Sequence, residues 1–365
     1  MDHILYLMHI DWNWIKQRPQ FIAEGLSKKY KVDVVYKYSY RNKNYQQNEN
    51  ELKNVTLNKI FSFPNKLAKL RVISEINTLI FRHKVKKIMK ATKPKYVYIT
   101  SPLLLKMLPS GFDANVIYDC MDDHYALESH PEIKAEIKEN EEKLVNLAKY
   151  IFVSSMHLQE ILLKRYKVNN KEKIYLIRNG FKGPILNLNR SSVFPSSTVF
   201  KIAYFGTISS WFDFDLINQS LKDFNNIEYE LIGPIDKNRN FIIPQNKRIK
   251  LLGTVEHNKL YSKIKDCNAL IMPFKLNDII KSVDPVKLYE YINFDKNIVT
   301  VRYKEIQRFN DFVYFYNNYS EFKRILNKLM KNENAVKYNK QMRHLFLREN
   351  TWEARISQIN HILSN

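Results

Sequence analysis

Short apolar runs and helix-period segments alternate along this chain, in two successive series. The first holds the strand-like "HILYLMHI" (3–10), "KVDVVYKY" (31–38), "KPKYVYITS" (93–101), "ANVIYDCMDD" (114–123), "YIFVSS" (150–155) and "KIYLIRNGF" (173–181). Between them lie helical segments at 19–30, 131–149 and 156–166, and a short one in "LLLKML". Strands separated by helices pair in parallel, with the helices covering both sheet faces. Residues 182–200 break the pattern with Pro, Ser and Asn and read as a linker. A second series follows, through "KIAYFG", "FDLINQSLKDF", "IEYELIG", "IKLLGTV", "HNKLYSKIKDC", "ALIMPF", "SVDPVKLYEYINF", "NIVTV" and "FVYFY" to closing helices. The expected architecture is α/β, with two Rossmann-like, doubly wound domains. Ligands of such sheets bind at the carboxyl ends of the strands, which here predicts a cleft between the domains.

A chain of 365 residues is long enough for two real cores. No apolar run reaches membrane-spanning length. The opening "MDHILYLMHIDW" lacks a basic stretch and a small-residue cleavage site, so no signal peptide is expected. Cys120 and Cys267 make no metal spacing and suit a reducing cytoplasm. The net charge of +22 is unevenly placed: from Lys59 to Lys95 eleven Lys/Arg face a single acid, Glu75. Leu67, Leu70, Ile73, Ile76, Leu79, Ile80 and Phe81 are interleaved with them, mostly at helical spacing. A basic amphipathic segment over 59–95 suits an anionic membrane surface or is a solvated basic face. Nucleic acid is the other partner that such charge suggests, but no recognised nucleic-acid module accompanies it.

Glycine is scarce, at seven residues, and Gly206, Gly233 and Gly253 each end a strand of the second series. They mark ordinary turns or places where a ligand approaches the backbone. In "YFGTISSWFDFD", Gly206 is followed by Thr207, Ser209 and Ser210 before a helix, an arrangement whose N–H groups can cradle a phosphate. "DFD" at 213–215 reads as a helix cap rather than a metal motif. In "SVDPVKLYEYINFDKNIV", Asp284 can cap a helix that starts at Pro285. Lys287 then sits in the first turn, against the helix dipole, with Glu290 three residues on. The pair is either a solvated ion pair or a grip, with the lysine on a diphosphate and the carboxylate on ribose hydroxyls.

In the first series the strand "VIYDC" runs into Asp122, Asp123 and His124. Such acids can take a proton from a hydroxyl, with Asp122 the first choice and Asp123 the second. Alternatively they cap the next helix or pair with Arg18. Trp12 and Trp14 provide a sugar platform or pack at the domain rim.

The stretch "DPVKLYEYINFDKNIV" resembles the P-x-K-x-x-E-Y donor motif of GT-B glycosyltransferases from bacterial surface-polysaccharide gene clusters, of the teichuronic-acid and rhamnan type. "DWNWIKQRPQFIAEGL", "VIYDCMDDHYAL", "FVSSMHLQEIL" with "IRNGF", "YFGTISSWFDFDLI" and "TWEARISQINHIL" resemble further parts of that family in the same order. Two positions depart from it: Ser282 stands where the broader retaining pattern has its first glutamate, and Asp295 where glycine is usual. The resemblance implies an acceptor-binding domain over 1–183, a nucleotide-sugar-binding domain over 184–344, and a helix over 345–365 that crosses back to the first domain. It implies sugar transfer from a UDP- or dTDP-sugar to a hydroxyl of a lipid-linked or saccharide acceptor. The enzyme would be cytoplasmic and peripheral on the inner face of the cell membrane, with no metal and no cofactor. The donor contacts it implies are Gly206, Thr207, Gly233, Asp284, Lys287, Leu288 and Glu290. The catalytic residues would be Asp122, Asp123 and Lys287, and the acceptor contacts Trp12, Trp14, Arg18 and His124. The competing classes are a GT-B-fold epimerase acting on a nucleotide sugar and a basic nucleic-acid-binding protein.

Overall fold

The structure is a computed structural model that describes residues 1–38, 53–61, 71–168, 170–188, 199–236, 241–331 and 336–365, and not the side chains of 71, 72 and 74. The chain forms two compact units, Met1–Asn179 with Trp352–Asn365, and Gly180–Thr351.

The first unit holds strands β1 (His3–Met8), β2 (Lys31–Lys37), β3 (Val55–Ile60), β4 (Tyr96–Ile99), β5 (Asn115–Cys120), β6 (Tyr150–Val153) and β7 (Ile174–Leu176). Its first five helices are α1 (Arg18–Leu26), α2 (Arg71–Thr92), α3 (His124–Leu127), α4 (Pro131–Leu147) and α5 (Met156–Arg165). The second unit holds strands β8 (Phe200–Phe205), β9 (Ile227–Ile232), β10 (Ile249–Gly253), β11 (Ala269–Met272), β12 (Asn297–Val301) and β13 (Tyr314–Tyr316). Its helices are α6 (Phe214–Asp223), α7 (Leu260–Ile264), α8 (Asp278–Ser282), α9 (Val286–Asn293), α10 (Tyr319–Met330) and α11 (Lys340–Glu349). The closing helix α12 (Trp352–Ser364) belongs to the first unit.

Both sheets are doubly wound, in the orders β3-β2-β1-β4-β5-β6-β7 and β10-β9-β8-β11-β12-β13. Every pairing is parallel. The strand order turns at β1/β4 in the first sheet and at β8/β11 in the second, so a crevice is expected outside the carboxyl ends of those pairs. The central strands bury both faces, as strands with helices on either side must. That explains their continuous apolar runs.

α12 packs on α1: Phe21 stacks on Trp352 at 4.9 Å, and the Tyr96 hydroxyl donates to the Leu363 carbonyl at 2.9 Å. A Cβ on Gly25 would lie 2.2 Å from Ile356, so this approach needs glycine. The expected boundary at 344/345 falls inside α11. That helix stays with the second unit because buried Arg343 donates to the carbonyls of Asn293 and Leu186, each at 2.8 Å.

The basic segment 59–95 differs from the expected helical region. Lys59 lies on β3, residues 62–70 lie outside the described residues, and α2 supplies the helix. Phe81, Val85 and Ile88 bury its inner side, while Ile76, Leu79 and Ile80 are exposed near Arg82, Lys86, Lys87 and Lys90. β3 went unread because "VTLNKI" alternates weakly and lies at a sheet edge. Of the expected linker, 189–198 also lie outside the described residues. Among the described residues no helix is long and apolar enough to cross a membrane.

Candidate functional site

In the second unit the strand ends converge on α9. β8 ends at Gly206, with φ 134°, and β9 at Gly233, with φ 142°. Both values favour glycine. Gly206 N–H donates to the Ile232 carbonyl at 2.8 Å, and Gly233 N–H to the Gly253 carbonyl at 2.7 Å. A Cβ on Gly233 would lie 2.1 Å from the Gly206 oxygen, and one on Gly206 would lie 1.9 Å from Lys287 Cε. The two turns and the lysine are therefore stacked in van der Waals contact. Thr207 adjoins them, its carbonyl accepting from the Tyr204 hydroxyl at 2.8 Å.

α9 is anchored by Leu288, Tyr289, Tyr291 and Ile292, all buried. The Tyr291 hydroxyl donates to the Ile271 carbonyl of β11 at 3.0 Å. That anchoring leaves Lys287 and Glu290 partly exposed along one edge. Burial lowers the Lys287 pKa, opposed by the nearby Glu290 charge. The ammonium lies 5.9 Å from the Tyr204 ring centroid and has no ion-pair or hydrogen-bond partner among the described residues. Glu290 Oε1 instead lies 2.6 Å from Nε2 of His257, a residue the sequence reading did not single out.

Two expected donor contacts are corrected. Asp284 does not cap α9, whose N-cap is Pro285; its buried carboxylate pairs with Arg308. An aspartate enclosed with an arginine is engaged within the fold. The Leu288 side chain is wholly enclosed in the core, and its N–H donates to the Pro285 carbonyl at 3.2 Å. Ser282 is buried, with its hydroxyl donating to the Ile279 carbonyl at 2.7 Å, so no carboxylate stands there. Asp295 takes φ 57°, a left-handed value that aspartate enters more readily than most residues. Asp213 caps α6 through Leu216 N–H at 3.0 Å.

In the first unit, β5 carries Asp119 at its end, followed by Asp122 and Asp123. Arg18 is buried and donates to both Asp119 oxygens, through Nε at 3.0 and 3.1 Å and Nη2 at 2.7 Å, and to the Ile177 carbonyl at 2.7 Å. It ties the start of α1 to β5 and to the end of β7, and its expected role as an acceptor contact is corrected accordingly. Asp123 caps α3 through Ala126 N–H at 3.1 Å and pairs with Arg165 at 2.8 and 2.6 Å. Burial acts to raise its pKa, but the Arg165 pair outweighs it and holds the carboxylate below its usual range. Its place as second-choice base is corrected: its oxygens are already engaged. Trp12 is fully buried in the core, so it is no sugar platform. Trp14 remains partly exposed in the loop after β1.

Asp122 is the carboxylate left over. It is half-buried, and no hydrogen bond reaches its oxygens among the described residues. Burial raises its pKa, against the pull of His124 and Arg18. Beside it, His124 Nε2 lies 3.2 Å from the Thr100 carbonyl. A carbonyl only accepts, so Nε2 carries the hydrogen and Nδ1 is left with its lone pair. His9 packs edge-on against His124 at 5.2 Å, and its Nδ1 lies 2.7 Å from Thr100 Oγ1. Burial and the neighbouring His124 push the His9 pKa down to about 3, and burial lowers that of His124. Burial therefore favours the neutral form of both rings. His9 and His124 line a cavity of about 450 Å³ at the ends of β1, β2 and β4, walled by Phe81, Leu104 and Met107 and edged by Lys37 and Lys106. Among the described residues no His, Cys, Asp and Glu cluster is arranged to hold a metal ion.

No protein-family model and no curated protein matches the sequence. Solved structures match along its whole length. Sucrose-phosphate synthase from Thermosynechococcus elongatus superposes with TM-score 0.73 at 12% identity, covering 100% of this chain and 98% of that one. HepE of Anabaena in complex with UDP gives 0.70 at 14% identity, with 100% of both chains covered. The apo form of the lipopolysaccharide outer core galactosyltransferase WaaB gives 0.66 at 14% identity, with 99% of both chains covered. At these identities the likeness is one of fold: two doubly wound α/β domains, as in GT-B glycosyltransferases.

Proposed function

We propose that this chain is a glycosyltransferase that moves a sugar from a nucleoside-diphosphate sugar to an acceptor hydroxyl in cell-surface polysaccharide synthesis. The observation that carries the reading is the stack of Gly233, Gly206 and Lys287 at the strand ends of the second unit. A cation that makes no ion pair among the described residues, set against two turns where only glycine fits, suits a diphosphate brought close to backbone. Glu290, one turn on, accepts from the ribose hydroxyls. The HepE structure in complex with UDP shows that a chain of this fold holds a nucleoside diphosphate, and it supports the same ligand class here.

The acceptor belongs to the first unit, in the cavity beside His9 and His124. As its hydroxyl oxygen bonds to the anomeric carbon, the bond from that carbon to the diphosphate oxygen breaks. Asp122 takes the hydroxyl proton, and Lys287 stabilises the charge left on the departing diphosphate. The apolar cavity walls and the exposed residues of α2 favour a lipid-linked acceptor at an anionic membrane surface on the cytoplasmic side.

A thermal-shift panel of UDP-, dTDP- and GDP-sugars tests the donor class. The matching donor stabilises by about 2.7 kcal/mol at a hundredfold excess over Kd. If none shifts the transition, the reading fails. Loss of nucleotide sugar without any acceptor would point to an epimerase. Binding to anionic vesicles should weaken with salt and with charge reversal at Lys84, Lys86 and Lys87; equal binding to neutral vesicles, or none to either, contradicts the membrane assignment.

A further inference from the structure

Glu290 is held from outside its own helix. His257 opens the one-turn 3₁₀ helix His257–Lys259 that follows β10, and its Nε2 lies 2.6 Å from Glu290 Oε1. A carboxylate only accepts, so the imidazole donates. The His257 side chain is 65% exposed while that of Glu290 is 18% exposed, so the histidine covers the carboxylate from the solvent side. The bond to Glu290 raises the His257 pKa, with burial and Lys182 opposing.

We propose that His257 is a positioning residue for the nucleotide sugar. It fixes one oxygen of Glu290 and leaves the other to accept from the ribose. The inference rests on the donor reading above. A glutamate at a helix edge has several rotatable bonds, and ordering it before the ligand arrives removes that cost from binding. Lys287 also lies three residues from Glu290, the spacing at which the two would otherwise pair. They make no ion pair here; by engaging Glu290, His257 leaves the Lys287 ammonium open for the diphosphate. Among the described residues the charged groups acting on His257 are Glu290 on α9 and Lys182 before β8; its chain neighbours Glu256 and Lys259 pair with each other at 2.9 Å. Protonation of the imidazole turns the bond into an ion pair and strengthens it. Donor binding is therefore tighter below the raised pKa of His257 and weakens as pH rises through it.

The test compares His257→Ala, His257→Asn, Glu290→Gln and the Ala/Gln double variant, measuring donor KM and kcat across pH about 5.5 to 8.5. His257→Ala should raise donor KM about tenfold with kcat within about twofold. His257→Asn, which keeps a neutral donor, should recover part of the loss, and neither variant should show the pH step. In the Glu290→Gln background, His257→Ala should add nothing. If Glu290→Gln raises donor KM while His257→Ala leaves or lowers it, the positioning role is overturned and the donor reading stands. If Glu290→Gln itself changes nothing, the donor reading falls, and this inference with it.

Discussion

The two units place charged residues at equivalent points, just beyond the carboxyl ends of parallel strands, yet use them differently. In the first, three aspartates follow one another, and the fold consumes two: Asp119 clamps Arg18, and Asp123 caps α3 and holds Arg165. In the second, Lys287 is pressed against the Gly206 turn and makes no ion pair among the described residues, the nearby Glu290 being engaged by His257. A strand end rich in charge is thus no measure of function. What distinguishes a candidate is a charge that the fold partly buries without an ion pair among the described residues, and Asp122 and Lys287 share that property.

Substitution at Asp122 should separate it from its neighbours by rate. Asp122→Asn should slow transfer by about 10²–10⁴ with donor affinity nearly unchanged. It should not lower stability. Burial raises the folded-state pKa of Asp122 above its unfolded value, so the folded protein binds the extra proton in that window and loses stability as pH rises through it. The asparagine variant escapes that loss. For catalysis the sign runs the other way: the base works only when ionised. Wild-type turnover should fall as pH drops through a pKa above the usual carboxylate range, and a pH–rate profile checks this. Near-normal turnover in Asp122→Asn, with the donor's anomeric configuration retained in the product, contradicts a base at this position.

Asp119→Asn breaks the opposite kind of site. It leaves the Arg18 guanidinium buried against a neutral amide, and denaturant unfolding should show a loss of about 3–5 kcal/mol. Turnover per folded molecule should survive. Asp123→Asn should likewise act on stability more than on rate, and a rate loss confined to it would move the base by one residue.

Gly206→Ala probes the second unit. Its φ of 134° disfavours a side chain, and the new methyl meets Lys287. Backbone strain of about 1–3 kcal/mol is expected, with weaker nucleotide binding because the lysine must move. Calorimetric titration with UDP reads the second effect separately from melting.

The two-sheet architecture was legible because continuous apolar runs between helical segments admit little else. The pairing of Lys287 with a glycine turn was half legible: a lysine in the first turn of a helix is out of place, but no local pattern says that it lies over Gly206, 81 residues earlier in the chain. His257 left no trace in the sequence, since only the fold brings the turn after β10 to Glu290 on α9. For Arg18, Trp12 and Asp123 the structure takes the pairing, capping and packing alternatives that the sequence left open, and for Asp284 it puts an ion pair in place of a helix cap. Polar and aromatic residues near strand ends look functional in one dimension, whereas burial and a partner on another element decide their role. Arg165 and Arg308, the partners that claim Asp123 and Asp284, stand 42 and 24 residues away.

Whether the edge of α9 grips a nucleoside diphosphate is read from the Kd of UDP for wild type, Glu290→Gln and Lys287→Ala, with turnover measured on the same samples. Glu290→Gln should weaken binding by about 1–3 kcal/mol, the loss of a charged hydrogen bond. Lys287→Ala should reduce turnover more than affinity, because its charge serves the departing diphosphate. Unchanged UDP affinity in both variants would contradict such a grip.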